Sequence, residues 1–317
     1  MAESEIPVVA VVGATATGKT ELAVRICERY GGEVVCADSM QIYKGMDIAT
    51  AKPTADERKR AVHHLTDFLP PDEKFSVAEY CDRARECILD MTERGKKVVI
   101  CGGTGLYVSS LLNNIEFGGE GANEEIRDRL KKRAETEGNE ALLSELKEID
   151  EKTASKLHPN NIGRVIRALE IYYTTGETMS EHVERSRRNP SPYKDCILFL
   201  DASDRQLLYD RINMRVDKML EKGLLKEAED FYNGSSRERT SAQAIGCKEF
   251  IPYFEGKISY DEAVESVKRE TRRYAKRQLT WFNRMENAHK IFIDDRSPDE
   301  IAAEAFSVID EAGVFRK

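Results

Sequence analysis

The chain has 317 residues, 40% of them hydrophobic and 33% charged, with a net charge of −8 at neutral pH. That composition describes a charge-rich globular protein with room for two or three domains, and no apolar run approaches the length of about twenty residues that a membrane span needs. The seven cysteines are scattered without a C-x-x-C pair, which excludes a disulfide frame or a zinc cluster and reads as buried, reduced thiols.

The first residues, Met1-Ala2-Glu3-Ser4-Glu5-Ile6, are acidic and lack a signal-peptide core or an Arg-rich transit segment, so a cytoplasmic protein is expected. Residues 8–12 form a short apolar run, as a buried parallel strand requires. Gly13-Ala14-Thr15-Ala16-Thr17-Gly18-Lys19-Thr20 follows, a full match to the phosphate-binding loop G-x-x-x-x-G-K-[ST]. Four fixed positions arise by chance in about one chain in a hundred of this length, and the flanking strand and helix make chance rarer. The loop is expected to point backbone N–H groups at phosphate oxygens, with Lys19 reaching the outer phosphate and the Thr20 hydroxyl on Mg²⁺. A second strand at 33–37 ends at Asp38-Ser39. Ser76 and Glu79 make a capping box for a helix running to about residue 93. A third strand at 97–101 stops at Gly102-Gly103-Thr104. Alternating strands and helices give a doubly wound α/β fold with a parallel sheet, whose ligands sit beyond the carboxyl ends of the strands. The phosphate loop, Asp38-Ser39 and Gly102-Gly103-Thr104 should therefore line one crevice.

From about Gly118 the character changes. Residues 123–175 are rich in Glu, Lys and Arg with helical period and no strand signal, entered at Gly118-Gly119 and left at Arg187-Arg188-Asn189-Pro190. The reading is a P-loop NTPase-like core, 1–117 and 192–317, carrying an all-helical insertion, 118–191. Beyond it come a strand at 197–200, helices at 204–231, 241–254 and 259–285, and a strand at 291–293. Residues 268–284 hold seven Lys or Arg and one Glu, leaving −14 on the rest of the chain. A basic helix on an acidic body is either a solvated face or a nucleic-acid contact; Tyr274, Leu279, Trp281 and Phe282, interleaved with the charges, give it one core-facing side.

The loop alone leaves the chemistry open between an ATP-dependent small-molecule kinase, a nucleotide-gated RNA-binding protein and another transferase. Asp201 and Asp294 follow apolar strands, yet an ordinary strand-end turn explains both. Asp38, ending the strand beside the loop, is the better-placed carboxylate, as Mg²⁺ ligand or general base.

Three motifs narrow this: the phosphate loop at 13–20, the run Asp-Ser-Met-Gln-Ile-Tyr-Lys-Gly-Met-Asp-Ile-Ala-Thr-Ala-Lys-Pro at 38–53, and Gly-Gly-Thr-Gly-Leu-Tyr at 102–107. They are followed by His158-Pro159-Asn160-Asn161, Arg164-Val165-Ile166-Arg167 and Thr271 through Trp281. In this order the chain resembles the tRNA dimethylallyltransferases (tRNA isopentenyltransferases) over almost its whole length. The resemblance implies transfer of a dimethylallyl group from its diphosphate to N6 of the adenosine 3′ of the anticodon, position 37, in tRNAs reading codons that begin with U. The loop and Mg²⁺ then hold a leaving diphosphate together with Arg215. Asp38 matches the general base and Thr15 a residue beside the transferred group. Asp38, Ser39, Met40 and Gln41 match contacts to the target base. Further matches to tRNA contacts are Thr104, Arg127, Gly163, Arg164, Val165, Ile166 and Arg167, and the segment Gln243, Ala244, Ile245, Gly246, Cys247 and Lys248. The insertion would grip the anticodon stem-loop, and a monomer is expected. Ala14 and Thr17 stand where the family usually has Pro and Ser, and Gly163 where it often has Gln, so an amide side chain is missing there.

Overall fold

The computed structural model describes residues 5–115, 117, 123–186, 189–234 and 240–316. Gly118-Gly119 and Arg187-Arg188, the expected entrance and exit of the insertion, lie outside the described residues. The chain divides into two compact units, Met1–Leu112 with Pro192–Lys317, and Asn113–Ser191.

The larger unit is built on a six-stranded sheet, β1 (Ile6–Gly13), β2 (Gly32–Cys36), β3 (His63–His64), β4 (Lys97–Gly102), β5 (Tyr193–Asp201) and β6 (Ala288–Phe292). All pairings are parallel, in the order β3-β2-β4-β1-β5-β6. Val8 through Val12 of β1 are fully buried, which is why this strand reads as an unbroken apolar run rather than an alternating one. The connecting helices are α1 (Lys19–Tyr30), α2 (Ala55–Arg60), α3 (Val77–Glu93) and α4 (Gly105–Leu112). The Ser76–Glu79 capping box opens α3 as its sequence indicated.

The smaller unit is all helical: α5 (Glu124–Glu137), α6 (Asn139–Ile149), α7 (Glu151–Ala154), α8 (Ile162–Thr175) and α9 (Met179–Ser186). Its core gathers Leu130, Leu142, Leu146, Val165, Ile166 and Leu169. A buried carboxylate, Glu170, lies under this core and is satisfied three ways: by Asn123 N at 2.9 Å, by Arg127 Nε and Nη2 at 3.0–3.1 Å, and by Arg167 Nη1 at 3.0 Å.

After β5 the larger unit continues with α10 (Arg205–Glu221), α11 (Leu224–Asn233), α12 (Ile251–Phe254), α13 (Tyr260–Phe282) and α14 (Pro298–Ala312). The single helix expected over 204–231 is two. Gly223 takes φ +102° and starts α11 in a new direction. Residues 241–254 are two 3₁₀ turns and the one-turn α12 rather than one helix; Gly246, at φ +103°, interrupts the helical path. The last strand lies at 288–292, with Ile293 just beyond it. The sequence reading passed over α2, β3 and α14, although Ser297-Pro298-Asp299-Glu300 is a capping box with proline at the helix start. Helix α13 packs on β1 and α4, whereas α1 and α14 pack on one another.

The 38–53 run has a structural role of its own. The Glu227 carboxylate on α11 accepts the backbone N–H groups of Asp47, Ile48 and Ala49, each at 2.8 Å. The buried Lys52 ammonium donates to Asp47 at 2.5 Å and Asp67 at 2.7 Å, and Ile42, Tyr43 and Met46 pack with Phe231 and Cys247 beneath the loop. Glu227→Gln replaces one acceptor oxygen by an NH₂ and is expected to cost about 1–2 kcal/mol of stability. Urea unfolding checks this, and an unshifted midpoint would remove Glu227 as the anchor.

Candidate active site

The three strand ends named from the sequence meet. Beyond the carboxyl ends of β1, β2 and β4 lies a cavity of about 460 Å³, a size that suits a small organic ligand. One wall is the phosphate loop. Gly13 leaves β1 at φ +149°, where a Cβ would stand 2.4 Å from the Leu200 carbonyl. The chain then turns through Ala16 at φ +66° and Gly18 at φ +90°. A non-glycine residue in the left-handed region is strained, a feature that concentrates at ligand clamps, and such turns aim successive N–H groups into one concavity. The N–H groups of Ala16, Thr17 and Gly18 make no hydrogen bond among the described residues. Gly18 caps α1 without any side-chain bond, so the positive end of the helix opens on the same space.

Not every loop side chain faces the ligand space. Thr15, Ala16, Gly18, Lys19 and Thr20 line it, but the Thr17 hydroxyl turns inward to donate to Ala14 O at 2.8 Å and Ala14 is fully buried. Lys19 Nζ donates to the same carbonyl at 2.6 Å. Burial pulls the Lys19 ammonium down from 10.5 to about 8; Arg215 pushes the same way, while Cys101 and Asp38 oppose. Arg215 also lines the cavity. It is not paired with Asp217, whose partner is Lys268 at 2.6 Å. Burial lowers Arg215, and the charges of Asp38 and Glu57 partly restore it. Two cations therefore converge on one space.

At pH below about 8 Lys19 is already protonated and an anion binds without proton uptake. Above it the free Lys19 is neutral and a bound anion must recruit a proton, so affinity should fall by up to tenfold per pH unit. Titrating a non-transferable dimethylallyl diphosphate analogue between pH 7 and 9.5 checks this. The slope should vanish in Lys19→Met, and a flat wild-type profile would contradict the assignment.

A second stretch of the lining begins at Asp38. Its Oδ1 accepts from Met40 N at 2.9 Å and Gln41 N at 3.4 Å, a local turn that fixes the carboxylate. No hydrogen bond engages Oδ2 among the described residues. Ser39 N donates to Thr104 Oγ1 at 3.0 Å, joining the ends of β2 and β4; Thr104 is thus behind the wall rather than among the lining residues. Met40 and Gln41 line the cavity, but the Gln41 amide is occupied, donating to the carbonyls of Thr50 and Ala51 at 3.2 Å. Gln243, Ala244, Ile245, Gly246 and Lys248 line the same cavity, whereas Cys247 is buried in the core behind it. An apolar stretch comes from Val216, Met219, Ile245 and Val267.

The remaining matched positions belong to the helical unit. Arg127 and Arg167 are ion-paired with Glu170. Gly163 and Arg164 are exposed at the start of α8. Val165 and Ile166 are a correction to the expected contacts: their side chains are buried in that unit's core and face no ligand. Asp201 and Asp294 are strand-end residues, accepting from Ala202 N, and from Ser203 N and Asp204 N respectively.

Sequence reasoning missed one whole side of the site. Val267, Thr271, Tyr274, Arg277 and Gln278 of α13 line the cavity, so the basic helix turns inward a neutral stripe edged by one guanidinium, and Tyr274 belongs to the cavity rather than the core. Burial, and then the Asp38 charge, push the Tyr274 hydroxyl up. Trp281 is half exposed, its Nε1 donating to Ser109 at 3.0 Å. The spacing 267, 271, 274, 278 is a helical stripe without charge in a charged segment, and was the available signal.

For a divalent cation, the Thr20 hydroxyl faces the cavity without a hydrogen-bond partner among the described residues. No group of three or more His, Cys, Asp or Glu forms a metal cage among those residues. That fits Mg²⁺, which takes few protein ligands and completes its shell with phosphate oxygens and water.

The parallel sheet, the uncapped helix behind a phosphate loop and the apolar cavity beside it define an α/β protein of the P-loop type. Residues 41–285 match the family model described as IPP transferase. A tRNA dimethylallyltransferase of Acetivibrio thermocellus is 49% identical over 92% of this chain and 94% of its own length; one of Halalkalibacterium halodurans is 46% identical over 88% of each. Among solved structures, the tRNA isopentenylpyrophosphate transferase of Bacillus halodurans superposes with a TM-score of 0.72 at 43% identity, covering 96% of both chains. A eukaryotic dimethylallyltransferase acting on tRNA reaches 0.82 at 29% identity, over 96% of this chain and 78% of that one. The chain belongs to the IPP transferase family.

Proposed function

We propose that this protein transfers the dimethylallyl group from dimethylallyl diphosphate to N6 of the adenosine 3′ of the anticodon, position 37, in tRNAs that read codons beginning with U. The observation that carries the reading is the joint cavity, whose lining brings together a phosphate nest, the cations Lys19 and Arg215, an apolar stretch and a fixed carboxylate. The loop N–H groups, Lys19 and Arg215 bind the diphosphate and stabilise the charge that grows on it as the C–O bond breaks. Mg²⁺, when bound at Thr20 and the phosphates, would neutralise part of that charge. Val216, Met219, Ile245 and Val267 receive the five-carbon group and keep water from it, which suppresses hydrolysis to the alcohol.

The adenine amine is a weak nucleophile because its lone pair is delocalised. Asp38 orients it and accepts its proton as the C–N bond forms; diphosphate leaves with the electron pair of the broken bond. The target base must leave its stack to reach Asp38, a cost kept low in an anticodon loop. Ser39, Met40 and the segment from Gln243 to Lys248 bound the side from which it enters. Arg164 and the basic face of α13 supply salt-sensitive phosphate contacts. No helix among the described residues is long and apolar enough to cross a membrane, which accords with a tRNA-modifying enzyme acting in the cytoplasm.

The test is a matrix of two donors, dimethylallyl diphosphate and ATP, against two acceptors, unmodified tRNA and adenosine monophosphate, reading released diphosphate and, with ATP, ADP as well. Release only from the prenyl donor with tRNA is the expected result. Release with the free nucleotide as acceptor, or turnover of ATP, would overturn the reading.

A further inference from the structure

Gln278 is 5% exposed near the C-terminal end of the most basic helix of the chain, and burying a neutral amide is tolerated only where both its ends are hydrogen-bonded. Both are. Its Oε1 accepts the N–H of Thr15 at 2.9 Å, and its Nε2 donates to the carbonyl of Gly103 at 3.0 Å. These partners lie 263 and 175 residues away in the chain, on the loop after β1 and the turn after β4. The packing leaves no slack: a Cβ added at Gly103 would stand 2.1 Å from Nε2. Beyond Gly103, Thr104 holds Ser39 through its N–H, next to Asp38.

We infer that Gln278 is a positioning residue for the transfer reaction, its amide holding Thr15 on one side and the Gly103 turn on the other so that the donor-binding loop and the Asp38 wall keep a fixed separation. The inference rests on the transferase reading above. Thr15 is the one loop residue between Gly13 and Gly18 whose N–H is bound by a side chain among the described residues; the N–H groups of Ala16, Thr17 and Gly18 are left for the ligand. Gln278 thus fixes the strained half of the loop without competing for the diphosphate. Both polar ends of its amide are taken by the protein, so it offers neither reactant a hydrogen bond. Its effect is on the alignment of the bond to be broken with the amine that attacks, and misplacement of about 1 Å costs as much as a hundredfold in rate.

The experiment uses the full-length protein with dimethylallyl diphosphate and unmodified tRNA, wild type first; product from the wild type carries the functional reading, and the variants then test Gln278. Gln278→Met keeps the volume and removes both hydrogen bonds. Its kcat should fall about ten- to a hundredfold while the donor KM and the Kd for inorganic diphosphate stay within about threefold, since the nest itself is intact. Gln278→Glu keeps the acceptor for Thr15 but sets a carboxylate oxygen against the Gly103 carbonyl, and should also lose kcat. If the Met variant does not fold, the Glu variant and Gly103→Ala make the same test. Thr15→Ala keeps the backbone N–H that Gln278 binds, so the double-mutant cycle pairs Gln278→Met with Gly103→Ala, whose added Cβ displaces the same amide; it should be non-additive, the double variant being no slower than the slower single one. A variant that lowers the melting temperature but keeps wild-type kcat would show a merely structural residue, and additive losses with Gly103→Ala would rule out action through this contact; either result overturns the inference.

Discussion

Asp38→Asn is expected to slow prenyl transfer by about two to four decades while leaving the binding of both substrates within a few-fold. The asparagine carbonyl can take over the hydrogen bonds that Oδ1 accepts from Met40 N and Gln41 N, so the turn after β2 should survive. What is lost is the charged Oδ2 facing the cavity, because an NH₂ group cannot accept the proton of the attacking amine. Asp38→Ala would remove the turn's acceptor as well and is the less clean variant. The Asp38 charge also raises Lys19 and Arg215, so the comparison is made at saturating donor, where occupancy of the site does not depend on that support. Single-turnover rates with equilibrium binding of tRNA and of the donor analogue check the prediction. Loss of tRNA binding in parallel with rate would contradict the base role.

Lys19→Met and Arg215→Ala are each expected to cost about a hundred- to a thousandfold in kcat/KM for the donor. Both residues line one cavity, and burial makes the charged form of each costlier than in water. Desolvated cations are costly until an anion arrives, and the cost is returned most fully when the leaving diphosphate gains charge in the transition state. The loss should therefore appear in kcat as well as KM. Arg215→Lys should rescue little, since an ammonium cannot reproduce the forked hydrogen bonding of a guanidinium. Unchanged steady-state kinetics in either variant would remove that residue from the site.

What could be read from the sequence was local. The phosphate loop, the apolar runs of β1 and β4 and the Ser76–Glu79 capping box are contiguous signals, and each marks an element that forms for short-range reasons. The convergence of Asp38, the phosphate loop and Gly102-Gly103 followed from one topological rule about parallel sheets. The missed features are non-local. Glu227 anchors backbone about 180 residues earlier in the chain and Gln278 binds backbone 263 residues earlier, and no period or spacing in one sequence encodes such pairs. The buried side chains of Val165 and Ile166 have a different reason: the resemblance runs through Gly163 to Arg167 as a block, whereas one turn of an amphipathic helix must send part of any such block into the core. The break at Gly223 was legible, and was overridden by the helical pattern on either side.

The central claim is that the phosphate loop of this chain holds the leaving group of a prenyl donor rather than the triphosphate of ATP. Its most direct test is mass spectrometry of nucleosides and of defined nuclease fragments from unmodified tRNA incubated with the protein, Mg²⁺ and either dimethylallyl diphosphate or ATP. The account predicts dimethylallyl-adenosine at the position 3′ of the anticodon with the prenyl donor, and unaltered tRNA with ATP. No prenylated nucleoside at confirmed tRNA binding, or a prenyl group on a different nucleotide, would contradict it.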